Sequence, residues 1–287
     1  MALFVNTNTS SINAQRNLSK STKSLDGSYT KLASGLRINS AKDDAAGLQI
    51  ADRMTAQING LTQGNRNAND GISLCQTIEG GLDEVTNMLQ RMRTLAVQAS
   101  NDTNSSDERT ALDNEVKELE KEICRIGEQT TYGKNLYCFK ETTGGFTNNG
   151  TIKFQVGAYS GNTIDFTFKD MSTILDAGAG AESTITGITV TDFAAAQTTV
   201  CNIDTMLKNV DAYRATLGAV QNRLESTISN QENIIENVSD ARSRIRDVDY
   251  ASETAKMTQQ SILQQASSTI LSQANQKTQI ALSLIGS

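Results

Sequence analysis

Apolar residues fall at helical intervals along most of this chain, and near its start the interval tightens to strict sevens. From Ile12 to about Leu36 the large aliphatic residues are Leu18, Leu25 and Leu32, one per heptad. That spacing marks a narrow coiled-coil seam rather than the broad apolar face of a globular-domain helix. Ser34-Gly35 predicts the stop, since glycine takes the left-handed cap readily. Ser40-Ala41-Lys42-Asp43 has capping-box spacing and opens the next helix. Its stripe runs Met54, Ile58, Leu61, Ala68, Ile72, Cys75, then Ile78, Leu82, Val85, Leu89, Met92 and Ala96, as far as about Ser100. Gly60, Gly64, Gly71 and the pair Gly80-Gly81 weaken it locally and predict bending. The polar run 101–108 breaks the pattern, and within it Ser105 and Glu108 form a second capping-box pair.

A third helix carries Leu112, Val116, Leu119, Ile123 and Ile126, with a charged opposite face that reads as solvated. The period then drops to two. Ile152, Phe154 and Val156 alternate, a turn falls at Ser160-Gly161-Asn162, and Ile164, Phe166 and Phe168 resume the alternation, which predicts a β-hairpin. Residues 171–192 read as a Gly-, Ala- and Thr-rich connector with room for one short strand. From Phe193 to Ile245 a four-three rhythm runs without a stop, a helix about 80 Å long at 1.5 Å per residue. Such a helix must lie along other long helices. The last stripe, Leu263, Ala266, Ile270, Ala274, Ile280 and Leu284, repeats the heptad of the opening seam, so the chain ends are expected to pair through it.

These elements define a mainly α fold: a rod-shaped, long antiparallel helical bundle and coiled coil with a small β-hairpin region and paired termini. Residues 1–42 and 246–287 form the terminal coiled-coil domain. Residues 43–140 and 193–245 form the helical rod, and 141–192 its hairpin and connector. The outer faces of both terminal helices read as poor in charge, so further copies of the chain are expected to cover them.

Composition narrows the chemistry. Of 287 residues 37% are hydrophobic and 5% aromatic, and there is no Pro, Trp or His. Few rings suit elongated packing, and the absence of Pro permits long helices. Without His, nucleophile–histidine pairs and most zinc sites are excluded, so neither catalytic nor metal residues are assigned. The net charge of −6 gives no basic footprint for nucleic acid. No apolar run reaches the ~18 residues of a membrane span, so no membrane insertion is expected. The first fifteen residues lack the basic and apolar regions of a secretory signal. Cys75, Cys124, Cys138 and Cys201 stand too far apart for zinc or redox motifs and read as free thiols. Cys75 and Cys201 are expected to act as small apolar residues within helices, and Cys138 to be the exposed one. Two carboxylate groups, Glu79 with Asp83 and Glu84, and Glu115 with Glu118 and Glu122, have the spacing of solvated helix faces rather than of an acid–base pair.

Three long stretches resemble bacterial flagellins: "SGLRINSAKDDAAGLQIADRM" at 34–54, "RNANDGISLCQTIEGGLDEVTNMLQRMRTLAVQASN" at 66–101 and "DYASETAKMTQQSILQQASSTILSQANQ" at 249–276. The resemblance implies a structural subunit that polymerises with itself into the flagellar filament for swimming. It implies terminal helices in the filament core, no cofactor, and an extracellular location reached without a cleaved signal peptide. The implied partners are the flagellar export apparatus and its chaperone, the hook-associated and cap proteins, and an animal Toll-like receptor. Leu18, Leu25, Leu32, Leu263, Ala266, Ile270, Ala274, Ile280 and Leu284 are the expected assembly residues. Gln90, Arg91, Leu95, Gln98 and Glu115 match the family's receptor motif, with Leu95 expected to fill a pocket in the partner. The four cysteines and the ending "QKTQIALSLIGS" depart from the family pattern. The alternative readings are a hook–filament junction protein, which shares such ends, and a secreted coiled-coil protein that forms no filament.

Overall fold

A computed structural model of the chain describes residues 7–133, 138–139, 151–176 and 188–285, with the side chains of 277–285 excepted. The elements are α1 (Thr9–Ser34), α2 (Ala45–Ala99), α3 (Ser106–Gln129), β1 (Thr151–Gln155), β2 (Thr163–Thr167), α4 (Met171–Ile174), α5 (Phe193–Arg246) and α6 (Tyr250–Ile285). The chain divides into two compact units, one of residues 1–58 with 236–287, the other of residues 59–235. Both long helices, α2 and α5, contribute to each.

Caps set the helix ends. Asn8 accepts from the Ser11 N–H at the start of α1, and Gly35 at its end has φ 71° in the left-handed region. Ser105 and Glu108 close the expected capping box on α3. The start of α2 differs from expectation. Asp43 folds back to accept from the Asn39 and Ser40 N–H groups, which makes a turn, and Asp44 does the capping by accepting from Gly47 N–H at 2.9 Å. Two carboxylates in succession compete for the cap, and the second is the one in position to serve the first helical turn.

In the 59–235 unit, α2 and α5 run antiparallel. Arg93 of α2 pairs with Asp204 at 2.7 Å, and Arg214 of α5 pairs with Asp83 at 3.3 Å. Between them lies a core of Ile78, Leu82, Val85, Leu89 and Met92 from α2 with Ile203, Val210 and Leu217 from α5. Val116 and Ile123 of α3 close its side. The alternating steps of three and four are thus explained: each helix buries one stripe against two neighbours. Asp113, 2% exposed, accepts from Val190 N–H at 2.9 Å and from Lys117 at 2.6 Å, which pins the end of the connector to α3.

The hairpin is antiparallel with Phe154 opposite Ile164 and Ile152 opposite Phe166, and Gly161 supplies a turn position at φ 88°. It lies on α2, and the glycines of that helix make room for it. A methyl group at Gly64 would overlap the Val156 carbonyl, and one at Gly60 would stand 2.7 Å from Ala158 Cβ. The same Val156 carbonyl accepts from Gln231 Nε2 of α5 at 2.7 Å, and Asn67 of α2 donates to the Gln155 carbonyl at 2.8 Å. Despite its glycines α2 is one uninterrupted helix, because the hairpin contacts offset the propensity they lose. The connector opens as the short helix α4 where a strand had room; residues 177–187 lie outside those described.

None of the four cysteines is disulfide-bonded. Cys138 is 1% exposed, contrary to expectation, because it packs with Phe139 in the main core, and burial pushes its thiol up to about 11. The exposed thiol is Cys201, contrary to the expectation that it packs as a small apolar residue, because its position on α5 falls off the buried stripe through Ile203. Cys75 is buried as expected, its thiol raised to about 11 by burial first and Glu79 second.

Gly64→Ala is expected to destabilise the 59–235 unit by about 3 kcal/mol, the upper range for overpacking against backbone. Gly80→Ala, where a methyl group meets nothing, should stabilise by up to about 1 kcal/mol. Urea titration of the two variants beside the wild type checks both signs.

Candidate assembly surface

In the unit of residues 1–58 with 236–287, α1 and α6 form an antiparallel pair. Asn8 Nδ2 donates to the Ala274 carbonyl at 2.7 Å, Gln264 to Thr22 at 3.3 Å, and Ser28 to Glu253 at 2.7 Å, so one end of α1 meets the far end of α6. A clasp holds the other end. Arg37 N–H donates to the Arg246 carbonyl at 2.7 Å and Val248 N–H to the Gly35 carbonyl at 3.0 Å, and Leu36 bridges Asp247. The Arg37 guanidinium donates to the Ile245 carbonyl, one of the free acceptors at the end of α5.

On α1 the seam runs Ala14, Leu18, Ser21, Leu25, Ser28 and Leu32. Leu25 is buried, and Leu18 and Leu32 are half-buried. Leucine at one heptad position alternates with Ala or Ser at the other, which lets the partner backbone approach. On α6 the covered positions include Glu253, Met257, Gln260, Gln264, Ser267, Leu271 and Ala274, again in steps of four and three, with Ser261 beside them. These were missed in the sequence because most are polar. Their signal was the heptad itself, which links residues 253, 260, 267 and 274.

The α6 stripe expected to close this pair therefore lies elsewhere. Leu263 is 43% and Ile270 55% exposed, Ala266 is exposed, and Ile262 joins them at 60%. At 3.6 residues per turn this row is centred about 120° around the helix from the seam. Of the expected α6 residues whose side chains are described, only Ala274, 5% exposed, belongs to the seam. The side chains of Ile280 and Leu284 lie outside the described residues. The charge-poor expectation holds for α6, which has no ionisable residue from Met257 to Gln276. It fails for α1, whose outer face carries Arg16, Lys20 and Lys23, all exposed.

The second predicted group sits in the other unit. Arg91 of α2 makes a forked pair with Glu115 of α3 at 2.6 and 2.9 Å, both side chains about half exposed, with Gln90 and Gln98 exposed nearby on α2. Leu95 does not join them. It is 1% exposed and faces the main core, so it packs inside the subunit rather than in a partner's pocket. Of the acidic groups, Glu79 accepts from Gln221 of α5 at 3.2 Å, Asp83 pairs with Arg214, Glu118 with Lys121 and Glu122 with Arg125. They fasten helices to each other or to their own side chains. Among the described residues no helix is long and apolar enough to cross a membrane.

Paired terminal helices, a long antiparallel helical unit and a docked hairpin define a helical structural subunit. The family model for the bacterial flagellin N-terminal helical region matches residues 5–140, and that for the C-terminal helical region matches 200–285. A flagellin of Halalkalibacterium halodurans is 46% identical over 285 residues, covering 99% of this chain and 100% of that protein. Polar flagellin F of Vibrio parahaemolyticus is 36% identical in an alignment of 384 residues covering 100% of both, so it carries insertions that this chain lacks. A putative flagellar hook-associated protein of Vibrio parahaemolyticus has a TM-score of 0.61 at 17% identity over 71% of this chain and 100% of that one, a likeness of fold alone. The chain belongs to the bacterial flagellin family, whose members are structural subunits of the flagellar filament that drives swimming.

Glu253 gives the terminal pair a pH dependence. It is 7% exposed, and its carboxyl is held below the usual 4.5 first by the Ser28 hydroxyl, then by Lys256 and Lys31, against the opposing effect of burial. A carboxyl depressed in the fold stabilises fully above its unfolded value, and that contribution is lost as pH falls through the folded one. The wild type should therefore exceed Ser28→Ala in terminal-pair stability at neutral pH, and the two should converge below pH 4.5. Thermal melting followed by circular dichroism across that range reads the difference.

Proposed function

We propose that this subunit enters the filament through the outward apolar row of α6, Ile262, Leu263, Ala266 and Ile270. The carrying observation is that α6 meets α1 mainly through polar and small side chains, Met257 and Leu271 excepted, while Ile262, Leu263 and Ile270 face outward. Contiguous apolar surface of this kind marks an interaction site, and an uncharged helix flank incurs little desolvation cost when another copy covers it. In this reading residues 1–42 and 246–287 form the filament core, with 43–140, 193–245 and the hairpin region 141–192 outside it. Leu18, Leu25 and Leu32 act indirectly, by holding α6 in place. The subunit reaches the growing tip through the export apparatus with its chaperone and is retained beneath the cap protein.

Seeded elongation tests this. Protein dissociated by heat or acid is returned to neutral buffer with short filament seeds, and growth is followed by electron microscopy. Leu263→Gln with Ile270→Gln should slow elongation at least about tenfold, the effect of losing roughly 1.4 kcal/mol at each added contact. The circular dichroism spectrum should be retained, because neither residue lies in the seam. A double variant that elongates like the wild type would remove the α6 row from the assembly surface.

A second reading rests on the Arg91–Glu115 pair. Its exposed fork, with Gln90 and Gln98 alongside, presents rigid hydrogen-bonding groups of the kind that anchor protein interfaces. We infer that an animal Toll-like receptor would engage these four residues, with Leu95 only supporting α2 from beneath. Arg91→Ala should abolish signalling in receptor-bearing cells while Lys121→Ala, on α3, leaves it intact. Equal signalling by both would end this reading.

A further inference from the structure

The outer face of α1 remains without a function in the filament reading. Arg16, Lys20 and Lys23 lie along it, about half a turn from the seam, and Gly27 continues the same line. A methyl group at Gly27 would meet nothing within 4 Å, so the face is bare. Among the described residues Arg16 reaches only Asn13 of its own helix, at 3.2 Å. Lys20 and Lys23 have no ion-pair partner among the described residues. Helix α1 holds four basic residues and one acidic one, in a chain of net charge −6. Like charges gathered on one bare face repel each other unless something acidic covers them.

The complement lies on α5. Asp211, Gly218, Glu225 and Glu232 stand at heptad intervals on one face of that helix, the three carboxylates exposed. A methyl group at Gly218 also meets nothing within 4 Å. Among the described residues the three acidic side chains have no ion-pair partner. Arg214, three residues beyond Asp211, is turned toward Glu79 and Asp83 of α2. Spacing matches as well as sign. Arg16 to Lys23 and Glu225 to Glu232 are each one heptad, about 10 Å along a helix, and each row includes a glycine that allows close approach.

We propose that the basic face of α1 docks on the acidic row of α5 in a second copy of this chain, and that this contact orients an incoming subunit before its apolar row is buried. The proposal rests on the filament reading and adds a second, electrostatic surface to it. Complementary charge acts mainly on the rate and register of association. Its contribution therefore belongs to elongation speed rather than to the stability of the finished filament.

The test uses the full chain and pairs of charge reversals. Lys20→Glu with Lys23→Glu, and separately Glu225→Lys with Glu232→Lys, should each slow seeded elongation at least about tenfold, within the range of electrostatic steering. The four reversals together should restore most of the rate. A second measurement joins amine to carboxylate without a spacer in filaments grown from equal parts of light and heavy-isotope subunits. It should yield mixed light–heavy peptides linking Lys20 or Lys23 to Glu225 or Glu232. Reversals that elongate at the wild-type rate, a combined variant no faster than either pair, or links found only within single chains would each overturn the proposal. Filaments formed normally by such reversals would leave the α6 reading standing, whereas failure of the wild type itself to elongate would sink the filament reading first.

Discussion

The 59–235 unit depends on the pairing of α2 with α5. A helix of more than fifty residues buries nothing by itself, and its stripe gains free energy only when a second stripe of the same period runs beside it. The antiparallel arrangement supplies that partner, and the ion pairs Arg93–Asp204 and Arg214–Asp83 fall where the register requires. Such exposed pairs contribute little stability each. Their role is to select one alignment among several that a repetitive apolar stripe would tolerate. With that alignment set, α3 closes one side and the hairpin can lie against Gly60 and Gly64.

The terminal pair is built on the opposite balance. Its seam places Ser21, Ser28, Gln260, Gln264, Ser267 and Glu253 where a stable coil would place aliphatic residues. Polar groups in a seam cost stability and specify register, and the Ser28–Glu253 hydrogen bond is the clearest case. Ile262, Leu263 and Ile270 of α6 are turned outward. A strong internal seam would have used them up within one chain, whereas a weak one keeps them for a neighbour. The basic face of α1 fits the same division of labour, with charge guiding encounter and apolar area retaining the subunit.

Periodicity made the helices legible. The limits of α1 and α3 followed from stripes and caps, the far end of α2 and the extent of α5 from their stripes, and the hairpin from its period of two with a glycine turn, because each of these signals is local; the cap that opens α2 fell to Asp44 instead of the expected box. The α6 seam was not legible. Leu263 and Ile270 are the residues that hydrophobicity points to, but burial goes to the heptad that runs through Glu253 and Ala274. Leu95 and Cys138 were misplaced for a related reason. A helix position or a loop thiol becomes core or surface only when α3 or the residues beside Phe139 arrive.

By itself, then, the order of residues determined which segments are helical, where they stop, that they pair along their length, and the family to which the chain belongs, since long motifs and heptads are carried in the order itself. Only the tertiary structure decided which stripe of each helix turns inward. A helix with two candidate faces has no local preference between them, and the choice falls to whichever face the neighbouring backbone can approach and hydrogen-bond.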